Sequence, residues 1–207
     1  MRGNTGEIMQ HSDQPYIELD RARKAIEDMR QAGSLEDLEE HWKEYLRRLE
    51  RVWNKAENHF RKSPKWDSWH GPFKTLRRKD SMLAYLVNAR GADEHTVSEI
   101  TERHGERVTI SPGLSGRAQI RSLRFGSNGE ITKLDVEGDT VVEFHPARVR
   151  LLPITNRGVI YPVPTEHLSE RIDPDNLLDV AARGLAFYTD LLNKAEAFFI
   201  QPAHPKR

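Results

Sequence analysis

The stretch 81–97, SMLAYLVNARGADEHTV, places Arg90, Asp93, Glu94 and His95 within about two turns of a helix. These side chains can pair as ions, and an imidazole can exchange a proton near neutral pH. Leu83, Leu86 or Val87, Val97 and Ile100 mark the apolar stripe of that helix, and Arg90, Asp93 and Glu94 fall at its middle positions. A buried charge is costly unless it is paired. So solvent breaks the stripe there, or the charges satisfy one another, or the cluster has a use. Arg90 and Glu94 are spaced for an intrahelical pair worth about 0.2–0.5 kcal/mol, with Asp93 assisting. Gly91 marks a bend or a close helix contact. Asn88 lies about two turns before His95, on nearly the same face.

A second group precedes that helix. The segment 63–80, SPKWDSWHGPFKTLRRKD, sets Trp66, Trp69, His70 and Phe73 beside Lys74, Arg77, Arg78 and Lys79. Aromatics next to cations stack on bases and grip phosphates, so Trp69, His70, Lys74, Arg77 and Arg78 are candidate RNA-binding residues. The competing reading makes the aromatics core plugs and the cations surface. Farther on, Arg117, Arg121, Arg124, Lys133, Arg148, Arg150 and Arg157 form a basic block. It reads as the solvated face of a sheet, or as a docking surface for RNA or a protein. The histidines are scattered, without short paired spacing, and no Gly-rich phosphate loop, nucleophile elbow or dinucleotide fingerprint occurs. No metal and no cofactor is expected.

The run Arg90-Gly91-Ala92-Asp93-Glu94-His95 resembles the Arg-x4–6-His signature of the HEPN superfamily of all-α domains. The resemblance implies a helical bundle with the motif on a late helix, acting as a homodimer and as a metal-independent endoribonuclease of toxin or phage-defence type. It implies that Arg90 orients and neutralises the scissile phosphate. His95 then takes the proton of the attacking RNA 2′-hydroxyl, and Asn88 holds the phosphate or the ring. The family usually carries a polar residue directly after the arginine, where this chain has Gly91. On a straight helix, residues five apart point about 140° from each other. Arg90 and His95 therefore converge only through a bend at Gly91 or across a dimer interface.

These residues sit in a chain of 207 residues with 32 Lys+Arg against 32 Asp+Glu, so polyanion binding needs a local patch and not the net charge. The absence of cysteine excludes disulfides, a thiol nucleophile and thiolate zinc sites. No run reaches the roughly 18–20 apolar residues of a membrane span, and the N-terminus lacks the apolar core of a signal peptide. The expectation is a cytoplasmic protein without membrane contact.

Three blocks organise the chain. Residues 1–14 form a lead-in, and 15–207 a single domain. Over 15–104, Leu19, Ala22, Ile26 and Met29 and then Leu35, Leu38, Trp42, Tyr45, Leu49, Val52, Ala56 and Phe60 recur at helical spacing, with Ser34 as N-cap of the second helix. Residues 63–80 read as a break, with Pro64, Gly71 and Pro72 interrupting any pattern and Trp66, Trp69 and Phe73 pinning it over the bundle. Asp80 or Ser81 caps the motif helix. Over 106–165 the period changes to short β runs, with turns at Ser127-Asn128-Gly129 and Gly138-Asp139. Over 173–200 helix returns, capped by Asp173 with Pro174 at its first position, with a seam from Leu178 to Phe199.

The fold expected is α+β: a bundle of four to five helices with a small antiparallel β-meander inserted before the last long helix. Two functional readings follow. One is the HEPN-like ribonuclease. The other is a non-catalytic binding or interaction protein in which Arg90, Glu94 and His95 form a structural polar network. The placement of the cluster on the stripe favours the first, and Gly91 and the zero net charge favour the second.

Overall fold

The computed structural model describes residues 11–95, 99–114, 116–126 and 131–200, with Glu94, His95 and Ala118 described by backbone alone. The chain divides into two compact units, Met1–Arg103 with Val149–Arg207, and His104–Arg148.

The first unit contains five helices, α1 (Gln14–Arg30), α2 (Leu35–Phe60), α3 (Trp66–Lys79), α4 (Ser81–His95) and α5 (Leu177–Phe199). Three of them follow their apolar seams. Leu19, Ala22, Ile26 and Met29 of α1 are buried, as are Trp42, Tyr45, Leu49, Val52, Ala56 and Phe60 of α2 and Ala181, Tyr188, Leu192, Ala195 and Phe199 of α5. Each large apolar side chain so buried contributes about 1.5–3 kcal/mol against exposure. Ser34 caps α2 by accepting the Asp37 N–H at 3.0 Å. The cap of α5 is Asn176, which accepts the Asp179 N–H at 3.1 Å, and not Asp173. Asp173 instead accepts the Asp175 N–H at 3.0 Å, closing a turn before the helix.

The segment expected to be a break is α3, with Pro72 inside it. Proline removes one helical hydrogen bond. Aromatic packing holds the helix nonetheless. Trp66 stacks on Phe60 at 5.7 Å and on His70 at 4.3 Å, and Trp69 meets Phe73 at 4.9 Å and Phe199 at 5.2 Å.

The central helix is α4, which packs against α2, α3 and α5. Its seam differs from the expected stripe. Met82, Leu83, Ala84, Tyr85, Leu86, Ala89 and Ala92 are buried, so burial wraps much of the helix and continues through alanines instead of through positions 90 and 93. The small residues permit close approach. A Cβ on Gly91 would meet Asn156 Nδ2 at 2.6 Å.

Between α4 and α5 the chain forms antiparallel two-stranded pairs. These are β1 (Thr101–His104) with β6 (Arg148–Leu151), whose residues His104 and Arg148 begin and end the second unit, and, in the first unit, β7 (Ile154–Asn156) with β8 (Val159–Tyr161) and β9 (Glu166–His167) with β10 (Glu170–Arg171). The second unit is a ribbon. β2 (Arg107–Pro112) pairs with β5 (Thr140–His145), and β3 (Ala118–Phe125) pairs with β4 (Ile131–Gly138). The expected turn at Ser127-Asn128-Gly129 lies outside the described residues. At the other expected turn, Gly138 takes a φ of 92° where β4 passes into β5. Among the described residues the protein is thus α+β, five helices with small antiparallel hairpins inserted before the last long one.

Candidate phosphate-binding cleft

A cleft of about 580 Å³ opens between α3, α4 and the β7–β8 hairpin, lined by Lys74, Thr75, Arg77, Arg78, Val87, Asn88, Arg157 and Tyr161. Four of these residues are cations and none is an acid. Helix α3 supplies three of the cations from its last turns. Lys74 and Arg78 are one turn apart, so their side chains are neighbours on one face. Both are exposed. Arg157 comes from the tip of the β7–β8 hairpin. There Arg157 (φ 51°) and Gly158 (φ 78°) occupy the left-handed region, as a tight hairpin turn of the primed type requires. A left-handed arginine costs about 1–2 kcal/mol. Strain of this kind concentrates at sites of function.

The four cations are not equivalent. Arg77 is held inside the protein: its Nε donates to the Tyr188 hydroxyl at 2.9 Å, its guanidinium pairs with Glu50, and it stacks on the Trp53 ring at 4.2 Å. Among the described residues, Lys74, Arg78 and Arg157 have no carboxylate within ion-pairing distance. The cleft therefore carries positive charge that the described residues do not neutralise. Asn88 forms part of its floor. Its Oδ1 accepts from Asn156 Nδ2 at 2.9 Å and its Nδ2 donates to the Ala84 carbonyl at 2.8 Å, which fixes the loop that carries Arg157 against α4.

The structure sorts the other sequence candidates differently. Trp69 and His70 belong to the aromatic packing of α3, and neither lines the cleft. Burial lowers the pKa of His70, with Lys74 and Arg77 adding to the shift and Glu57 and Asp67 opposing it. Arg90 is two residues from Asn88, about 200° around the helix, and does not line the cleft. Its side chain is half-buried. Asp93 faces α2, where Lys43 Nζ lies 3.9 Å from its carboxylate. Lys43 also lies 3.7 Å from Glu39, a buried carboxylate that accepts from Thr101 Oγ1 at 2.5 Å and pairs with Arg103 Nε at 3.2 Å. The side chains of Glu94 and His95 lie outside the described residues. Helix α4 continues across Gly91 to His95, so Gly91 serves close packing on Asn156 and does not interrupt the helix.

A buried carboxylate anchors the start of α4. Asp80 accepts the Leu83 N–H at 2.9 Å as N-cap, His167 Nδ1 at 2.9 Å and the Leu168 N–H at 2.7 Å. Burial pushes this carboxyl up, but the hydrogen bonds from Leu168, His167 and Leu83 outweigh it and hold the group below its ordinary range. Leu168 and Ser169 both adopt positive φ, 51° and 68°, so a second left-handed turn is fastened to the same aspartate.

Among the described residues no group of three or more His, Asp or Glu side chains is placed to hold a metal, and no helix is long and apolar enough to cross a membrane. Neither a family model, nor a curated protein, nor a solved structure matches this chain.

Proposed function

We propose that this protein is a non-catalytic RNA-binding module that grips a single-stranded phosphodiester backbone in the α3–α4–hairpin cleft. The observation that carries this reading is the convergence of Lys74, Arg78 and Arg157, from two distant parts of the chain, on a cleft without an acid. Cations attract phosphates chiefly when no internal carboxylate competes for them. Tyr161, at the hairpin's end, offers a ring for stacking. Thr75 and Asn88 add neutral polar groups, and Arg77 stiffens the wall. The reading places the protein in the cytoplasm, where RNA is available.

Fluorescence anisotropy with a labelled single-stranded RNA tests it. Three phosphate contacts predict that log affinity falls with log salt at a slope of about −2. The triple variant Lys74→Ala, Arg78→Ala, Arg157→Ala is expected to weaken binding roughly 100-fold and to flatten that slope. Unchanged binding by the triple variant removes the cleft from consideration. The HEPN-like ribonuclease reading is decided by the same RNA. Cleavage by the wild type, abolished in Arg90→Ala and His95→Ala while binding persists, would replace the binding module by a nuclease.

A further inference from the structure

The lining of the cleft divides by chemistry. Helix α3 gives it Lys74, Thr75, Arg77 and Arg78, all polar. The apolar lining comes from the other elements, Val87 from α4 and the ring of Tyr161 from β8. That ring is fixed. Tyr161 lies directly across the hairpin from Ile154, a buried residue, and packs against the apolar core. A tyrosine has only two side-chain torsions, so a ring already packed on one side offers contact area at little entropic cost. The cleft volume of about 580 Å³ is that of a small-molecule site, which admits a nucleotide of a strand and not a duplex.

The groups that read the edge of a base are engaged elsewhere. Bases are told apart by paired donors and acceptors, as when one amide engages adenine through both its oxygen and its nitrogen. Asn88 is the one amide among the residues that line the cleft. Its Oδ1 accepts from Asn156 Nδ2 at 2.9 Å, and its Nδ2 donates to the Ala84 carbonyl at 2.8 Å. Turning that amide toward a base breaks both bonds. Arg77 is likewise engaged, by Glu50 and Tyr188. Lys74, Arg78 and Arg157 reach a base edge only by giving up a phosphate. The π-face, which every base has, meets the Tyr161 ring without that conflict.

We propose that the cleft seats a nucleobase flat on Tyr161 and leaves its edge unread, so that its ligand is a base-bearing phosphodiester strand of any sequence. This rests on the RNA-binding reading above and adds two requirements to it. The ligand must carry a base, which sets it apart from polyanions that offer charge alone. The identity of that base must matter little. The division of labour follows the lining: α3 and the hairpin tip hold phosphates through Lys74, Arg78 and Arg157, and Tyr161 holds the base.

Anisotropy of the full chain with labelled single-stranded RNAs of equal length tests it: homopolymers of A, C and U, an alternating G/U strand, and a strand abasic throughout. The base-bearing strands are expected to agree within about fivefold, and the abasic strand to bind at least about tenfold more weakly, as the loss of one base–aromatic stack predicts. Tyr161→Leu keeps an apolar side chain against Ile154 and removes the ring. It is expected to bring the base-bearing strands down to the affinity of the abasic one and to leave the salt slope unchanged. Tyr161→Phe, which keeps the ring, is expected to bind as the wild type does. Equal binding of abasic and base-bearing strands overturns this proposal and leaves the RNA-binding cleft standing. So does a preference for one base of more than about tenfold, which is the mark of edge readout. A Tyr161→Leu variant that still favours base-bearing strands overturns it as well. Failure of every strand to bind overturns the RNA-binding reading and this proposal together.

Discussion

Helix α4 borders two polar regions that treat charge in opposite ways. Around Asn88, the cleft gathers Lys74, Arg78 and Arg157 and supplies no carboxylate for them. Toward α2, Asp93, Lys43, Glu39 and Arg103 are arranged acid against base, with Thr101 adding a hydrogen bond to Glu39. The two regions are built from similar residue types. What separates them is where the counter-charge comes from. In the α2-facing array it comes from the protein, so the array serves the fold. In the cleft the described residues supply none, and the proposed RNA backbone would. Arg77 illustrates the boundary, because it lines the cleft yet spends its charge on Glu50.

Substitutions on either side should break that contrast or sharpen it. The largest effect is expected for Glu39→Ala. Glu39 is a buried hub: its removal leaves the buried Thr101 hydroxyl without its acceptor and takes one anion each from Lys43, which keeps Glu40 and Asp93, and Arg103, which keeps Glu36, so unfolding free energy should fall by about 3 kcal/mol in urea titration. RNA affinity should stay within about twofold. Charge reversal in the cleft, Lys74→Glu with Arg78→Glu, reverses the pattern. Anisotropy should show at least about 100-fold weaker RNA binding, while stability moves by no more than about 0.5 kcal/mol, as exposed positions usually do. If these two variants lose the same property, the contrast is wrong.

A smaller effect is expected at the join between the regions. Gly91→Ala gains about 1 kcal/mol of helix propensity. Its new Cβ forces Asn156 to swing and breaks the bond to Asn88, which costs about as much. Melting should therefore change little, and RNA affinity should drop a few-fold because the loop carrying Arg157 loses its tether. The smallest effect concerns acid. Asp80 has a lowered pKa in the folded state, so the stability it supplies is present above the unfolded carboxylate value near pH 4 and is lost as pH falls through the lower folded value. The stability difference between wild type and Asp80→Asn, measured from pH 6 down to pH 2, should shrink over that window.

Much of the fold is legible in the sequence because the seams of α1, α2 and α5 use large side chains at strict spacing. Two elements are not legible for definable reasons. The Gly71-Pro72 pair hides α3, since propensity argues against a helix that aromatic contacts with Phe60 and Phe199 nevertheless hold. The face of α4 is misread because its seam passes through Ala89 and Ala92, whose small side chains give a weak periodic signal. The cleft divides in the same way. Lys74, Arg77 and Arg78 are visible as a cationic run next to aromatics. Arg157 and Tyr161 arrive from a hairpin far along the chain, and only folding makes them neighbours. The one local sign of that hairpin is Asn156-Arg157-Gly158, a tight-turn signature with a cation at its tip.

The β1–β6 pair has a consequence for how the chain tolerates change in length. Hydrogen-bonded strands lie about 4.8 Å apart, so β1 and β6 bring the exit and re-entry points of residues 104–148 side by side. The excursion is a closed loop held at its base, and doubling such a loop costs only about 0.6 kcal/mol in closure entropy. The helices therefore place almost no limit on how long that loop is. Insertions and deletions between residues 104 and 148 are the ones this architecture absorbs at least cost, whereas the same change between α3 and α4, where Asp80 joins both helices directly, would pull the floor from under the cleft.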